Sequence, residues 1–432
     1  MRKSKRMIYW GIFLILIVLI DSVLIKHLYS ENLHLQSKME SNLPQKINLA
    51  ESGYIRVLIK SNGFKEITHP EVKIQSNTGL IVETEEETKE YAASEVLIIL
   101  PDDEKFQNGT IRIRPQNEND KITIQSLQRG YGIPSYRGTL ELYQTAEGIV
   151  IVNELLQEQY LYAVVPSEMP ASYEAEALKA QAVCARSYAY NQSREHSYPE
   201  YKAHVDDSTS FQVYGNSKEQ ESTRNAVNET AGEKIWYKNQ VATTYYYSTS
   251  CGKSTSIRAW GTEFNEYNQY LKSIELCDEE GNAYESSLPW YQWSAVIPAT
   301  LLENLLELNT GVEIGKLQSV SITELGDGGV VQQITAVGDG GNIVVETENK
   351  IRKALGGEGY EITKQDGTVI KSTTLLPSAF FTISQSDEKY IINGGGYGHG
   401  IGMSQNGANE MAKAGKTYRE ILTTFYSGVE IK

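Results

Sequence analysis

The sequence predicts an α+β fold: a strand-rich, mixed body with a central alanine-rich helix and C-terminal helices around a cleft, preceded by one N-terminal transmembrane helix. Three observations carry this expectation. Short runs rich in Ile, Val and Tyr, separated by turn residues, fill the chain from Gly53 to Leu155. A long helical pattern rich in alanine starts after Pro170. A glycine-dense segment at 394–402 feeds two more helical patterns that close the chain.

At 432 residues and a net charge of −15, the chain has room for two or three domains. Four of its basic residues fall in the first six, MRKSKR, so the remainder is more acidic still. An acidic body lacks the basic face that nucleic-acid binding needs. After MRKSKR comes MIYWGIFLILIVLIDSVLI, close to the ~20 apolar residues a helix needs to cross a bilayer. Asp21 sits near its far end, and the basic residues ahead of it keep the N-terminus inside. With no small-residue cleavage site directly after it, the span reads as an uncleaved signal-anchor with the body outside the cytoplasm. The expected organisation is 1–25 basic tip and span, 26–52 polar stalk, 53–145 β-rich region and 146–432 core.

Strands are expected at YIRVLI (54–59), VKI (72–74), LIVET (80–84), VLIIL (96–100), TIRIR (110–114), KITIQ (121–125), GTLELY (138–143) and GIVIVNEL (148–155). The acidic run Glu83 to Glu90 reads as a solvated loop, and 156–163 as a short helix. Next comes VVPSEMPASYEAEALKAQAVCARSYAY, Val164 to Tyr190. Pro166 and Pro170 bracket Glu168, so Val165 to Pro170 is expected to be a stiff, non-helical entry. Ser172 is the expected N-cap, with Glu174 and Glu176 in the first turn. Ala175, Leu178, Ala182, Ala185 and Ala189 recur at helical spacing as one buried face, while Lys179 and Arg186 project from a neighbouring one. From these residues alone, Glu168 reads as a surface carboxylate near a helix N-terminus.

His204 to Gly215 reads as loop and strand, and Ser222 to Gly232 as helix. IWY, a KNQ turn and VATTYYYSTS form a hairpin whose tyrosines suit either a sugar or peptide groove or ordinary strand packing. Ala295 to Leu308 has helical periodicity, and strands return over 318–347 around Gly/Asp turns. The glycines of NGGGYGHGIGMSQNG let that loop approach a ligand or another backbone closely. A helix is expected from about Ser404 to Gly415, then a capping box, Thr417 with Glu420, opening a last helix through Phe425. Neither a Walker nor a dinucleotide fingerprint is present. Of three cysteines, Cys184 reads as a buried hydrophobe; Cys251 and Cys277, close in sequence, are expected to form one disulfide.

The central stretch and the closing stretch GGGYGHGIGMSQNGANEMAKAGKTYREILTTFYSGVEI together resemble the stage II sporulation protein D family, which includes the amidase enhancers. The resemblance continues weakly through Asp207, Gln212 and Tyr214, STSCGKST, YLKSIE and IRKALG, and spans roughly 53–432. It implies a peptidoglycan lytic transglycosylase that cuts MurNAc–GlcNAc β-1,4 bonds, leaves 1,6-anhydro ends and acts on peptide-stripped glycan during spore engulfment. The acidic body is compatible with work beside an anionic wall polymer. The resemblance places the catalytic glutamate at Glu168 and an important basic residue at Arg186. Lys179, Gln181, Arg186, His399, Ser404 and Gln405 are candidate substrate contacts, though each also has a structural reading. His399 as a second acid/base is the lesser option, and Ser404 lacks a base–acid pair to act as a nucleophile. One glutamate suffices for this chemistry, because the muramyl C6 hydroxyl replaces water. The apolar neighbours Val165, Pro166, Met169 and Pro170 would raise its pKa. The helix dipole and any nearby Lys179 or Arg186 would oppose that.

Some members of the family bind zinc in the segment matching His204–Gln212. Here Asp206, Ser210 and Phe211 replace the metal-binding Cys or His, so no metal and no cofactor is expected. The alternative function is a non-catalytic wall-binding protein that stimulates a partner cell-wall amidase. A zinc amidase or protease is disfavoured: there is no HExxH, and the six histidines are scattered.

Overall fold

The computed structural model describes residues 53–107 and 109–432; the expected membrane span and stalk lie outside them. Among the described residues no helix is long and apolar enough to cross a membrane.

The β-branched runs become strands where expected, because alternate side chains reach a core. Ile111–Pro115 alternates buried and half-buried residues, as do Val72–Gln75 and Leu80–Glu83. Tyr54–Ile59 is buried on both faces beyond its exposed first residue, since it lies between Gly148–Leu156, antiparallel, and Val205–Asp206, parallel. The sheet runs on through Thr139–Thr145, Ile111–Pro115, Leu80–Glu83 and Thr88–Tyr91. The acidic run is thus only partly loop, because Thr88–Tyr91 pairs back on Leu80–Glu83. A second sheet holds Leu97–Ile99, Val72–Gln75, Ile122–Ile124 and Ser135–Tyr136. The β-rich region does not stand apart. Position 145 falls inside one hairpin, Thr145 opposite Gly148, and Ile55, Ile74 and Ile124 share a core with Leu161, Leu178 and Phe425.

Helix α1, Gln157–Glu168, corrects the first local expectation. It runs through Pro166, and Glu168 is its last residue rather than part of an extended entry. A proline in the last turn removes one N–H, and Val165 and Pro166 are both buried, so packing outweighs the local preference. Helix α2, Ala175–Gln192, is capped by Glu174 and not Ser172; the Glu174 N–H donates to Asn409 Oδ1. Leu178, Ala182, Ala185 and Ala189 are buried as expected, but Ala177, Ala180, Val183, Cys184 and Ser187 are buried too, while Ala175 is exposed. The alanines admit neighbours on nearly every side. Helices α1, α3 (Glu221–Glu229), α4 (Gln405–Lys413) and α5 (Tyr418–Phe425) all pack on α2.

A second core, built by residues between Trp293 and Ile392, sits within the same unit of chain. The helix expected over Ala295–Leu308 is split there. Trp293–Pro298 is a strand antiparallel to Lys389–Gly394, and the helix follows at Ala299–Thr310. Its residues alternate inward and outward until Pro298 ends the ladder. The capping box of Thr417 and Glu420 forms, and Ser404 caps α4 through the Gly407 N–H. Cys251 and Cys277 are free thiols, not the expected disulfide.

Candidate active site

Three segments converge on Glu168. Helix α1 delivers the side chain at its C-terminal end, and the loop after Asp207 sends in the Val213 N–H, which donates to Glu168 Oε1 at 2.6 Å. Helix α4 fixes the backbone, through Gln405 Nε2 on the Glu168 carbonyl at 3.0 Å. The loop is itself pinned. Gln212 Nε2 donates to Ala185 O and Tyr246 Oη, and Tyr214 Oη to Asn153 Oδ1.

Glu168 opens on a cavity of about 530 Å3 whose walls include Tyr188, Phe211, Tyr246, Trp260, Asn349 and His399. Burial raises its carboxyl to about pKa 7, against the opposing Val213 hydrogen bond. The helix dipole acts in the same direction as burial. The expectation that it would oppose the shift assumed a helix N-terminus, whereas a helix C-terminus disfavours an anion. Neither Lys179 nor Arg186 offsets this. Lys179 bridges Glu176 and Glu229, at 2.9 and 2.8 Å. Arg186 is fully buried and grips both oxygens of Glu158, at 2.7 and 2.8 Å, and also the carbonyls of Val227 and Glu233. Both lie outside the cavity lining.

His399 does line it, with both ring nitrogens engaged. Nδ1 accepts from Ile401 N, so Nε2 carries the proton and donates to Tyr246 O. Burial drives its pKa down to about 3, and the ring is a neutral wall rather than an acid. Gln181 and Ser404 lie one layer behind. Gln181 is buried against Gln405, and Ser404 Oγ donates to the buried Glu285. The segment at His204 does not make a zinc site. Asp206 accepts from Ser208 and Tyr198, His204 Nδ1 accepts from Arg56 N, and Ser210 and Phe211 supply no thiolate or imidazole.

Glu168 is thus the one carboxyl group among the residues lining this cavity. A protonated acid facing aromatic rings and an asparagine can donate a proton to a sugar oxygen and later take one back. The second carboxylate that hydrolytic glycosidases use is missing from the lining. Trp260, Tyr188, Asn349 and the Val213 amide were not found from sequence; the tyrosine-rich run at 245–247 was a usable signal, and the others had none.

The stage II sporulation protein family model matches residues 145–237, and a domain of unknown function (DUF8618) matches 262–402. An uncharacterized protein of Brachyspira hyodysenteriae is 32% identical, over 68% of this chain and 72% of its own. The amidase enhancer of Bacillus subtilis is 28% identical over 76% of this chain, which spans 47% of that longer protein. Stage II sporulation protein D of Bacillus subtilis is 30% identical, over 73% of this chain and 85% of its own length. With that coverage, and with both landmark stretches built into one cleft, this chain belongs to the stage II sporulation protein D family.

Proposed function

We propose that this chain is a peptidoglycan lytic transglycosylase, held at the outer face of the membrane by its N-terminal apolar stretch and acting on glycan strands during spore engulfment. The observation that carries the reading is a single carboxyl, raised to about pKa 7, in a cavity with no second carboxylate. Protonated Glu168 gives its proton to the glycosidic oxygen as the bond from muramyl C1 breaks, releasing a GlcNAc 4-hydroxyl. The muramyl C6 oxygen bonds to C1, and its proton passes to the Glu168 carboxylate, which regenerates the acid. No water is consumed. Val213 N–H on Oε1 fixes the rotamer and leaves the other oxygen to face substrate.

The test is digestion of purified glycan strands, with and without stem peptides, by the full chain in detergent. Mass spectrometry is expected to find 1,6-anhydromuramyl ends with wild type, chiefly on stripped strands. With Glu168→Gln the rate is expected to fall by roughly 10²–10⁴-fold, the usual worth of a general acid–base. The second reading, a non-catalytic stimulator of a partner amidase, draws on the name of the Bacillus subtilis relative. It calls for glycan binding without product, and for amidase stimulation that survives Glu168→Gln.

A further inference from the structure

The cavity at Glu168 is not the end of the groove. A second hollow, of about 360 Å3, shares Tyr245 and Trp260 with it. Those two rings meet edge to face, centroids 4.8 Å apart, and Trp260 also packs on His399 at 5.0 Å. Both are only half-buried, so each keeps part of its surface open beside the two hollows it helps to line.

The lining of the second hollow has an unusual chemistry for this protein. Charged residues make up 22% of the sequence, yet none of the 15 lining residues is charged. Amides and phenols are prominent among them, beside aliphatic and threonine side chains and Trp260. Asn191, Gln240 and Asn265 supply amides, and Tyr267 joins Tyr237 and Tyr270, whose rings pack together at 5.1 Å. Asn191 donates its amide N–H groups to Val241 O and Thr243 Oγ1, which leaves its carbonyl oxygen as an acceptor. Tyr267 is 48% exposed, and its hydroxyl is hydrogen-bonded to Glu266. A lining of amides and tyrosine rings, with Lys238 over Tyr237 and Glu266 at Tyr267 as its charged margin, suits a ligand with hydroxyl and acetamido groups and flat apolar ring faces. It does not suit a peptide bearing charges or a nucleotide.

We propose that the hollow bounded by Asn191, Gln240, Asn265 and Tyr267 is an extended subsite for N-acetylated sugar units of the strand that Glu168 cuts, so that this protein grips a run of sugars longer than the cleaved pair. The inference rests on the glycan-cleaving reading above. Trp260 and Tyr245 would then act as the ridge across which the strand is laid, fixing the register of the scissile bond.

The experiment is calorimetric titration of the full chain carrying Glu168→Gln, which blocks turnover, with chitobiose and with chitohexaose as neutral probes. The hexamer is expected to bind roughly tenfold or more tightly, the worth of one added aromatic-and-amide contact. Adding Tyr267→Ala with Gln240→Ala, both at exposed positions, should bring the hexamer-to-dimer ratio close to one. A ratio that the double change leaves untouched, or no length dependence at all, overturns the subsite. The two readings fail separately. Anhydro product from wild type with flat length dependence sinks the subsite alone. Length-dependent binding that the double change abolishes, with no product from wild type, sinks the transglycosylase and keeps the subsite.

Discussion

Half-buried Glu168 and fully buried Glu285 both have carboxyls raised to about pKa 7 by loss of solvent, yet only Glu168 lines the cavity. Glu285 is fully enclosed, held by Ser250 N at 2.9 Å and by Ser404 Oγ at 2.8 Å. Its raised value belongs to the support of helix α4 and not to chemistry. The consequence for stability has a definite sign. Folded values near 7 lie above the ordinary 4.5, so the folded chain binds more protons than the unfolded one between those limits. Their contribution is full below about pH 4.5 and is lost as pH rises through about 7. Melting temperature, followed by circular dichroism, should therefore fall across that window. Glu168→Gln removes the cost of a buried anion, so its Tm relative to wild type should be higher at pH 8 than at pH 5. A Glu168→Gln offset independent of pH would mean that the carboxyl is ordinary. Activity should decline along the same limb, because the acid must be protonated to act.

At the level of elements, helix α2 and the glycine loop explain why the site is rigid. Arg186 is a fully buried guanidinium in the helical cluster, and its hydrogen bonds tie α2 to Glu158 on α1 and to the end of α3. Arg186→Leu would strand two carbonyls and leave Glu158 with only the Gly232 N–H. The expected loss is about 3 kcal/mol, read by urea melting. An Arg186 engaged with sugar would instead show loss of activity at unchanged stability. The glycine loop is a second fixed point. Gly402 has φ +75, and a Cβ there would come within 2.1 Å of Tyr245 O, in the wall shared by the two hollows. Gly402→Ala is therefore expected to cost several kcal/mol and to lower activity through Tyr245 even where the chain still folds. These elements differ in how far they could be read beforehand. Capped, periodic helices at 405–413 and 418–425 were legible, because caps and spacing are local. The course of α1 through Pro166 was not, because burial of Val165 and Pro166 is set by partners far along the chain.

Across the whole molecule, the second core supplies part of the first core's site. Asn349 lines the Glu168 cavity, and its neighbour Glu348 accepts from Trp260 Nε1 at 3.2 Å while pairing with Arg352. The 262–402 region is thus part of the cleft wall, and Trp260 is held in place by the segment that follows it by nearly ninety residues. Glu348→Ala should release the indole and leave Arg352 with only the Leu376 carbonyl. The expected result is a rise in KM for glycan of roughly tenfold with a smaller change in kcat, since the wall binds and Glu168 reacts. Equal losses in kcat and kcat/KM would place Trp260 in the chemical step instead.

What the sequence by itself determined is the set of features written in short-range patterns: the strands before Leu156, the alanine-rich helix, the closing glycine loop and capped helices, and the candidacy of Glu168 through a motif shared with a family. What only the tertiary structure decided is the electrostatic setting of that glutamate and the company it keeps. Glu168 stands at the negative end of a helix rather than the positive end of the next, Arg186 is locked in a buried ion pair, and Trp260 and Asn349 arrive from distant segments. The reason is physical. A pKa and a cavity wall are sums over everything within a few ångströms, and most of those neighbours lie more than forty residues away along the chain.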